Sequence, residues 1–373
     1  MSSKLFTPIT LGGVTLPNRI VVSPMCQYSA DDGSMTDWHL MHLGGLAVSG
    51  AGLLMIEATG VTREGRISHG CTGLYSDNNE AAMKRVVDAC RRVTRHPIGV
   101  QLGHAGRKAS VQAPWLGGKP LSAAESPWQT VAPSALAYDQ GWHTPRELSA
   151  EDIAGLAQAF VAAAGRALRI GLDAIELHSA HGYLLHQFLS PLSNRRTDRY
   201  GGSLESRMRA PLEIARALRE AWPRERCLGA RITASDWAEG GFELDDAVAY
   251  ARELAQIGFD YVCVSSGGAV PQQRIKVLPG YQVPFAEKVK QGAPIAVRAV
   301  GMIADPDQAE SIVASGKADM VALARGFLDD PRWVWHAAER LGAKAEYPPQ
   351  YARTRPELWP GAKLARPGLV QQR

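Results

Sequence analysis

No CxxC pair occurs anywhere in the sequence, and the five cysteines, Cys26, Cys71, Cys90, Cys227 and Cys263, are an odd number lying far apart. That spacing argues against a zinc knuckle, an iron–sulfur cluster and a disulfide framework alike. Reduced thiols belong to the cytosol, so a cytoplasmic protein is expected. Long apolar runs are missing too: none reaches the ~20 uninterrupted residues of a membrane span. The stretch Met1–Leu11 lacks the charged-then-apolar order of a secretory signal. Charge of one sign is scarce. The net charge is +4 over 373 residues, and no Lys/Arg run gathers it into a stripe, so a nucleic-acid partner is not called for. Nor does a GxGxxG follow any predicted strand, which removes the dinucleotide-binding turn of an open doubly wound sheet.

What is present is a globular composition, 45% hydrophobic and 21% charged, and a repeated alternation. Short apolar runs rich in Val, Ile and Leu recur at Ile20–Ser23, Gly52–Glu57, Ile98–Gly103, Ala174–His178, Leu228–Thr233, Tyr261–Ser265, Ile295–Ala299 and Met320–Ala324. Continuous rather than alternating apolar character predicts parallel strands buried on both faces. Helical patterns lie between them at Ala150–Ile170, Leu204–Ala221, Leu244–Ile257 and Pro306–Ser315, with Asp246, Asp307 and Glu310 near helix starts, where negative charge suits the dipole. The expected fold class is α/β, a (β/α)8 TIM barrel with a capping insertion after strand 3. The barrel is expected over residues 1–347, followed by a surface or partner-contacting tail over 348–373. Two connections, Ala105–Leu148 and Ala180–Gly202, are longer than simple barrel loops, and Trp115, Trp128 and Trp142 predict that the first is ordered.

In such a barrel, residues just beyond the C-terminal strand ends face the active site. Ser23, Pro24, Met25, Cys26 and Tyr28 fall there after strand one. Gln101 and His104 belong to strand three and its end, His178, His181 and Tyr183 to strand four, Arg231 to strand five, Gly301 to strand seven, and Ala324 and Arg325 to strand eight. The set holds no paired carboxylates for hydrolysis, no Ser/His/Asp grouping and no metal set. It offers hydrogen-bond donors, together with small residues and an Arg beside the last strands, where barrels commonly bind phosphate. A phosphorylated planar cofactor across the barrel mouth is expected. Each residue also has a plainer use. His178 and His181 could be metal ligands, Arg231 could pair with a core carboxylate, Arg325 with Asp329, and Tyr183 could simply pack.

The segments PNRIVVSPMCQYSA, IEATGV, QLGHAGRKAS, ELHSAHGYLLHQFLSPLSNRRTDRYGGSLESR, LPGYQVPFAEKV and AVGMI, in that order, resemble the old yellow enzyme family. PMCQY and the segment around His178 resemble its bacterial thermophilic-like branch. The resemblance runs from about Leu5 to Arg353. It implies bound FMN, reduction by NADPH or NADH, and hydride transfer to activated alkenes. By the same resemblance Ser23, Pro24, Met25, Cys26 and Ala58 would lie along the flavin, and Gln101 would read its pyrimidine ring. Arg231 would stand where negative charge collects on reduction, and Gly301, Ala324 and Arg325 would hold the phosphate. The family often has Gly where this chain has Ala324; the added methyl leaves the backbone donor in place. His178 and His181 would bind the substrate oxygen, Tyr28 would help orient it, Tyr183 would protonate the α carbon, and Cys26 would tune the flavin and touch substrate. The branch also implies a homodimer or homotetramer in which Arg353 reaches the neighbour's site. Iron–sulfur relatives of the same superfamily are set apart by their clustered cysteines, and a flavin sensor without turnover would leave Tyr183 and the histidines idle.

Overall fold

The protein, described over residues 3–366 by a computed structural model, is built on eight parallel strands closed into a barrel. In chain order these are β1 (Ile20–Val22), β2 (Leu53–Gly60), β3 (Ile98–Gly103), β4 (Ala174–Ser179), β5 (Cys227–Thr233), β6 (Tyr261–Ser265), β7 (Ala296–Val300) and β8 (Met320–Leu323). Each pairs with the next, and β8 closes on β1 with Val321 opposite Ile20. Around them run α1 (Asp37–Ala47), α2 (Asp77–Arg91), α3 (Ala150–Ile170), the short α4 (Leu184–Leu189), α5 (Leu204–Ala221), α6 (Leu244–Ile257), α7 (Val283–Gly292), α8 (Pro306–Ala314), α9 (Arg325–Asp329) and α10 (Trp333–Leu341).

The helix boundaries follow local chemistry. Ser76, Ser149, Ser203 and Asp305 accept backbone N–H groups at the starts of α2, α3, α5 and α8. Gly171 and Gly258 end α3 and α6 in the left-handed conformation. Helix α3 is long and apolar enough to cross a membrane by length and composition, yet its buried stripe, including Ile153, Phe160, Ala164 and Ala167, lies inside the molecule. Glu310 does not serve the dipole of α8. Its carboxylate accepts Ser3 Oγ, Lys4 N and Leu5 N, because the N-terminal segment brings three donors to it.

One large apolar layer separates barrel and helices, while a smaller one fills the barrel itself with Val21, Leu53, Met55, Ala174, Tyr261, Cys263, Met320 and Ala322. Leu11 and Leu16 belong to this inner cluster. They come from an antiparallel hairpin, Ile9–Leu11 with Val14–Leu16, that closes the barrel floor. Fully burying each large apolar side chain contributes about 1.5–3 kcal/mol.

The chain departs most from the sequence expectations after two strands, while several other strand limits shift by one residue. Strand β2 runs on past Glu57 to Gly60, with a register shift between Ile56 and Ala58. The segment after β4 is not one long loop, because Leu184–Leu189 coils into α4 with every residue buried. The insertion after β3 is ordered by three 3-10 turns and by the pairing of Val131–Ala132 with Arg146–Glu147. The tail packs on α10: Tyr347 and Tyr351 lie against Trp335 at ring separations of 4.4 and 5.8 Å, and Arg366 pairs with Glu339. Residues 367–373 of the expected tail lie outside the described residues.

Candidate active site

The C-terminal end of β4 leads into a turn held by side chains of several elements. His181 (φ +60°) and Gly182 (φ +70°) are both left-handed. A Cβ on Gly182 would stand 1.9 Å from the Gly268 carbonyl, so only glycine fits. Left-handed backbone at a non-glycine such as His181 costs about 1–3 kcal/mol and needs outside support. That support comes from side chains of several elements. His181 N donates to Thr233 Oγ1 at 3.0 Å, and Lys108 Nζ donates to the His181 carbonyl at 2.8 Å. Gly182 N donates to His186 Nδ1 at 2.8 Å, and Gln187 Nε2 donates to the Gly182 carbonyl at 2.7 Å. His186 is fixed in turn by Asp236 at 3.0 Å, itself an acceptor for Ser190 Oγ and Phe242 N.

This turn gathers three rings. His178 lies edge-on to His181 at 5.2 Å and to Tyr183 at 5.0 Å. Ala180 N donates to His178 Nδ1 at 3.3 Å, which leaves the ring proton on Nε2. The Ser265 hydroxyl lies 2.8 Å from His181 Nε2 and 3.4 Å from Gln282 Oε1; when its hydrogen points to the imidazole, the ring proton sits on Nδ1. Burial, and after it Arg231, pushes the pKa of both imidazoles well below the ordinary histidine value. They are neutral donors at working pH. Burial holds the Tyr183 phenol well above its ordinary value, so it stays protonated.

Across the mouth, Ser23 follows β1 and donates its N–H to the Leu323 carbonyl at 2.9 Å. Pro24, Met25, Cys26 and Tyr28 continue half-buried. Burial, then Cys71 and Glu57, raises the Cys26 thiol well above its usual range, which disfavours the nucleophilic thiolate. Glu57 braces this strip: its carboxylate accepts Gln27 N at 3.1 Å and lies 3.2 Å from His39. Tyr28, with φ +50°, packs edge-on against Trp115 of the cap at 5.7 Å.

The remaining predicted residues show the features that a phosphorylated flavin would need. Ser23 Oγ and Arg231 Nε are buried and have no hydrogen-bond partner in the protein, as expected of groups waiting for a polar ligand. Gln101 is buried and anchored through Nε2 to Glu176 Oε1 at 2.7 Å. Gly301 (φ +111°) leaves space that a Cβ would close against Gln282, 2.3 Å away. Ala58 is half-buried on β2, Ala324 precedes α9, and Arg325 is exposed.

The plainer uses fall to other residues. The core carboxylate Glu176 pairs with Arg298, not Arg231. Among the described residues, neither Arg231 nor Arg325 has a carboxylate within ion-pair reach, and no group of three or more His, Cys, Asp or Glu could hold a metal. His104 lines the same pocket as His178 and Tyr183, and its Nε2 has no hydrogen-bond partner in the protein. It is buried, its Nδ1 accepts Gly106 N at 3.0 Å, and burial pushes it down to about 4. Arg353 is exposed on the tail's 3-10 turn, Pro349–Thr354. Just before it, residues 346–349 line a cleft with Val48, Arg95 and His96 at the floor end of the barrel, so this chain's Arg353 is not brought to its own site. Sequence reasoning missed Lys108, Thr233, Ser265 and the His186–Asp236 pair. Lys108 and His186 both lie inside the quoted motifs, so the signal was there without a role.

The buried imidazoles carry a stability consequence. An unfolded histidine titrates near 6.5, whereas His104 is pushed down to about 4 in the fold. Below about 6.5 the unfolded chain therefore binds the extra proton, and stability falls as pH drops toward about 4. His178 and His181 act in the same direction. A urea midpoint clearly lower at pH 5 than at pH 7.5 is expected, and equal midpoints would contradict it.

Barrel, cradle and ring cluster together define a cofactor-dependent oxidoreductase of the TIM-barrel class. Residues 4–344 match the NADH:flavin oxidoreductase / NADH oxidase family, and the chain belongs to that family, as the old yellow enzyme resemblance implied; its cofactor is FMN and its reductant a nicotinamide. It is 44% identical over 357 residues to an NADPH dehydrogenase of Geobacillus thermodenitrificans, covering 95% of this chain and 99% of that protein. It is 41% identical over 355 residues to an NADPH dehydrogenase of Bacillus subtilis, with the same coverage. Among solved structures, morphinone reductase superimposes with a TM-score of 0.76 at 31% identity, covering 94% of this chain and 93% of that one.

Proposed function

We propose that the enzyme reduces activated C=C bonds, in enones, maleimides and nitroalkenes, at the expense of NADPH or NADH. The observation that carries this is the ring cluster on one clamped turn: the neutral His178 imidazole with the His181 imidazole at 5.2 Å and the protonated Tyr183 phenol at 5.0 Å. Bound FMN would supply two-electron hydride chemistry between the nicotinamide and the alkene. Ser23, Pro24, Met25, Cys26 and Ala58 would line it, Gln101 and Arg231 would bond its polar edge, and Gly301, Ala324 and Arg325 would hold its phosphate.

The protein's own residues do the rest. His178 Nε2–H and His181 Nδ1–H donate to the substrate's carbonyl or nitro oxygen and polarise the alkene. Being neutral and hard to protonate, they bind without delivering protons. Tyr28 flanks the oxygen, and Tyr183 gives its proton to the α carbon. Nicotinamide and alkene use the same mouth in turn, which fits the missing dinucleotide-binding motif. We further propose a cytoplasmic homodimer or homotetramer in which Arg353, exposed on its turn, enters a neighbour's site.

Anaerobic mixing with NADPH tests the proposal. Rapid bleaching of the yellow flavin, reversed by 2-cyclohexenone or a maleimide, supports it; bleaching that no alkene reverses overturns it. Removing one donor, as in His178→Ala, is expected to weaken the binding of p-hydroxybenzaldehyde by about 1.5–3 kcal/mol, the worth of a hydrogen bond to a charged oxygen. Titration of the charge-transfer band reads this directly, and an unchanged affinity would remove His178 from oxygen binding.

A further inference from the structure

Tyr183 must release a proton from a site whose burial raises its pKa, and the cation nearest to hand is one the cofactor and substrate roles leave unused. Lys108 sits in the 3-10 turn Gly106–Lys108 that opens the cap. Its Nζ donates to the carbonyls of His181 at 2.8 Å and Gly268 at 3.0 Å. The same nitrogen lies 5.1 Å from the centre of the Tyr183 ring and 4.8 Å from that of Tyr138. One side chain therefore joins the cap, the turn that carries both His181 and Tyr183, and the loop after β6.

We propose that Lys108 is a positioning residue for Tyr183, fixing the turn through two carbonyls and stabilising the phenolate left after proton delivery. This rests on the proton-donor reading of Tyr183 given above. In the step, the Tyr183 O–H bond breaks, a C–H bond forms at the α carbon, and the O–H electron pair stays on the phenolic oxygen. A cation over the ring face favours that negative charge far more than it favours the neutral phenol. Burial, and after it Arg107, pushes Lys108 down to about 7. A neighbouring phenolate reverses that pressure and holds the proton on nitrogen as it forms. The Arg107 guanidinium cannot substitute, because Nη1 and Nη2 are committed to the carbonyls of Leu136, Ala137 and Ala269.

The test uses the FMN-loaded full chain and two acceptors. A quinone is reduced at its carbonyl oxygens, whose protons exchange with water, whereas 2-cyclohexenone needs a proton delivered to an alkene carbon. Lys108→Gln keeps a donor for the carbonyls and removes the charge; Lys108→Arg keeps both. For Lys108→Gln, reduction by NADPH and reoxidation by menadione are expected within about twofold of wild type, while reoxidation by cyclohexenone slows at least about tenfold. Lys108→Arg is expected to recover most of the loss. Equal slowing with both acceptors would assign Lys108 a merely structural role, and unchanged cyclohexenone reduction would remove it from the reaction; either overturns the proposal. The companion variant Tyr183→Phe keeps the two ideas apart. In that background Lys108→Gln is expected to add nothing, and an undiminished cyclohexenone rate in Tyr183→Phe itself would fault the donor reading instead.

Discussion

Tyr183→Phe is expected to bleach with NADPH at close to the wild-type rate and to reduce 2-cyclohexenone about 10²–10⁴-fold more slowly, the usual contribution of a positioned general acid. The two halves separate because the variant removes one oxygen and little else. Tyr183 starts α4, its backbone N–H donates to the Ala180 carbonyl, and its ring packs on His178. None of these contacts uses the hydroxyl, so the turn and the imidazoles keep their places. The other proton carriers near it among the described residues are poorly placed to replace it: Tyr28 and Cys26 are shifted upward by burial, the histidines are neutral, and Lys108 Nζ is committed to the carbonyls of His181 and Gly268. Stopped-flow measurement of each half separately is the check. Equal turnover on cyclohexenone would take Tyr183 out of the proton-donor role.

The second large effect lies under the site. Glu176 and Arg298 form an ion pair with both side chains fully buried in the barrel. Tyr261 Oη donates to the same carboxylate at 2.8 Å and lies beneath the guanidinium, 4.8 Å from its centre. Gln101 takes the other carboxylate oxygen. Arg298→Met leaves a buried carboxylate without its cation and should cost about 3–5 kcal/mol of stability. Glu176→Leu with Arg298→Met removes both charges and should recover much of that loss, while leaving Gln101 without an anchor. Urea titration measures the first effect and retention of FMN on gel filtration the second. An Arg298→Met midpoint equal to wild type would show that the pair is not needed for the fold.

The barrel was legible because its strands are buried on both faces and so read as unbroken apolar runs; β3 and β6 have the expected limits. The floor hairpin was not. Ile9–Leu11 and Val14–Leu16 are too short to show a period, and they are strands only because a barrel stands above them. Helix α4 was hidden for a related reason, since a six-residue segment buried all round has no amphipathic stripe. At the site, residues that would touch flavin or substrate were recognisable from motif and position. Those that act on other residues were not. Nothing in the letters around Lys108 says which carbonyls it will meet 73 and 160 residues further on. Likewise, the sequence offers two strand arginines, Arg231 and Arg298, and only the three-dimensional register shows which one faces Glu176.

The pairing of β8 with β1 joins Val321 to Ile20, nearly the two extremes of the barrel. During synthesis this seam forms last. Until Met320–Leu323 has emerged from the ribosome, β1 and β7 each present an unmatched row of backbone donors and acceptors to the cell. A nascent chain stalled within β8 is thus a sheet with two sticky borders, and its demand for chaperone protection should end abruptly when that final strand arrives.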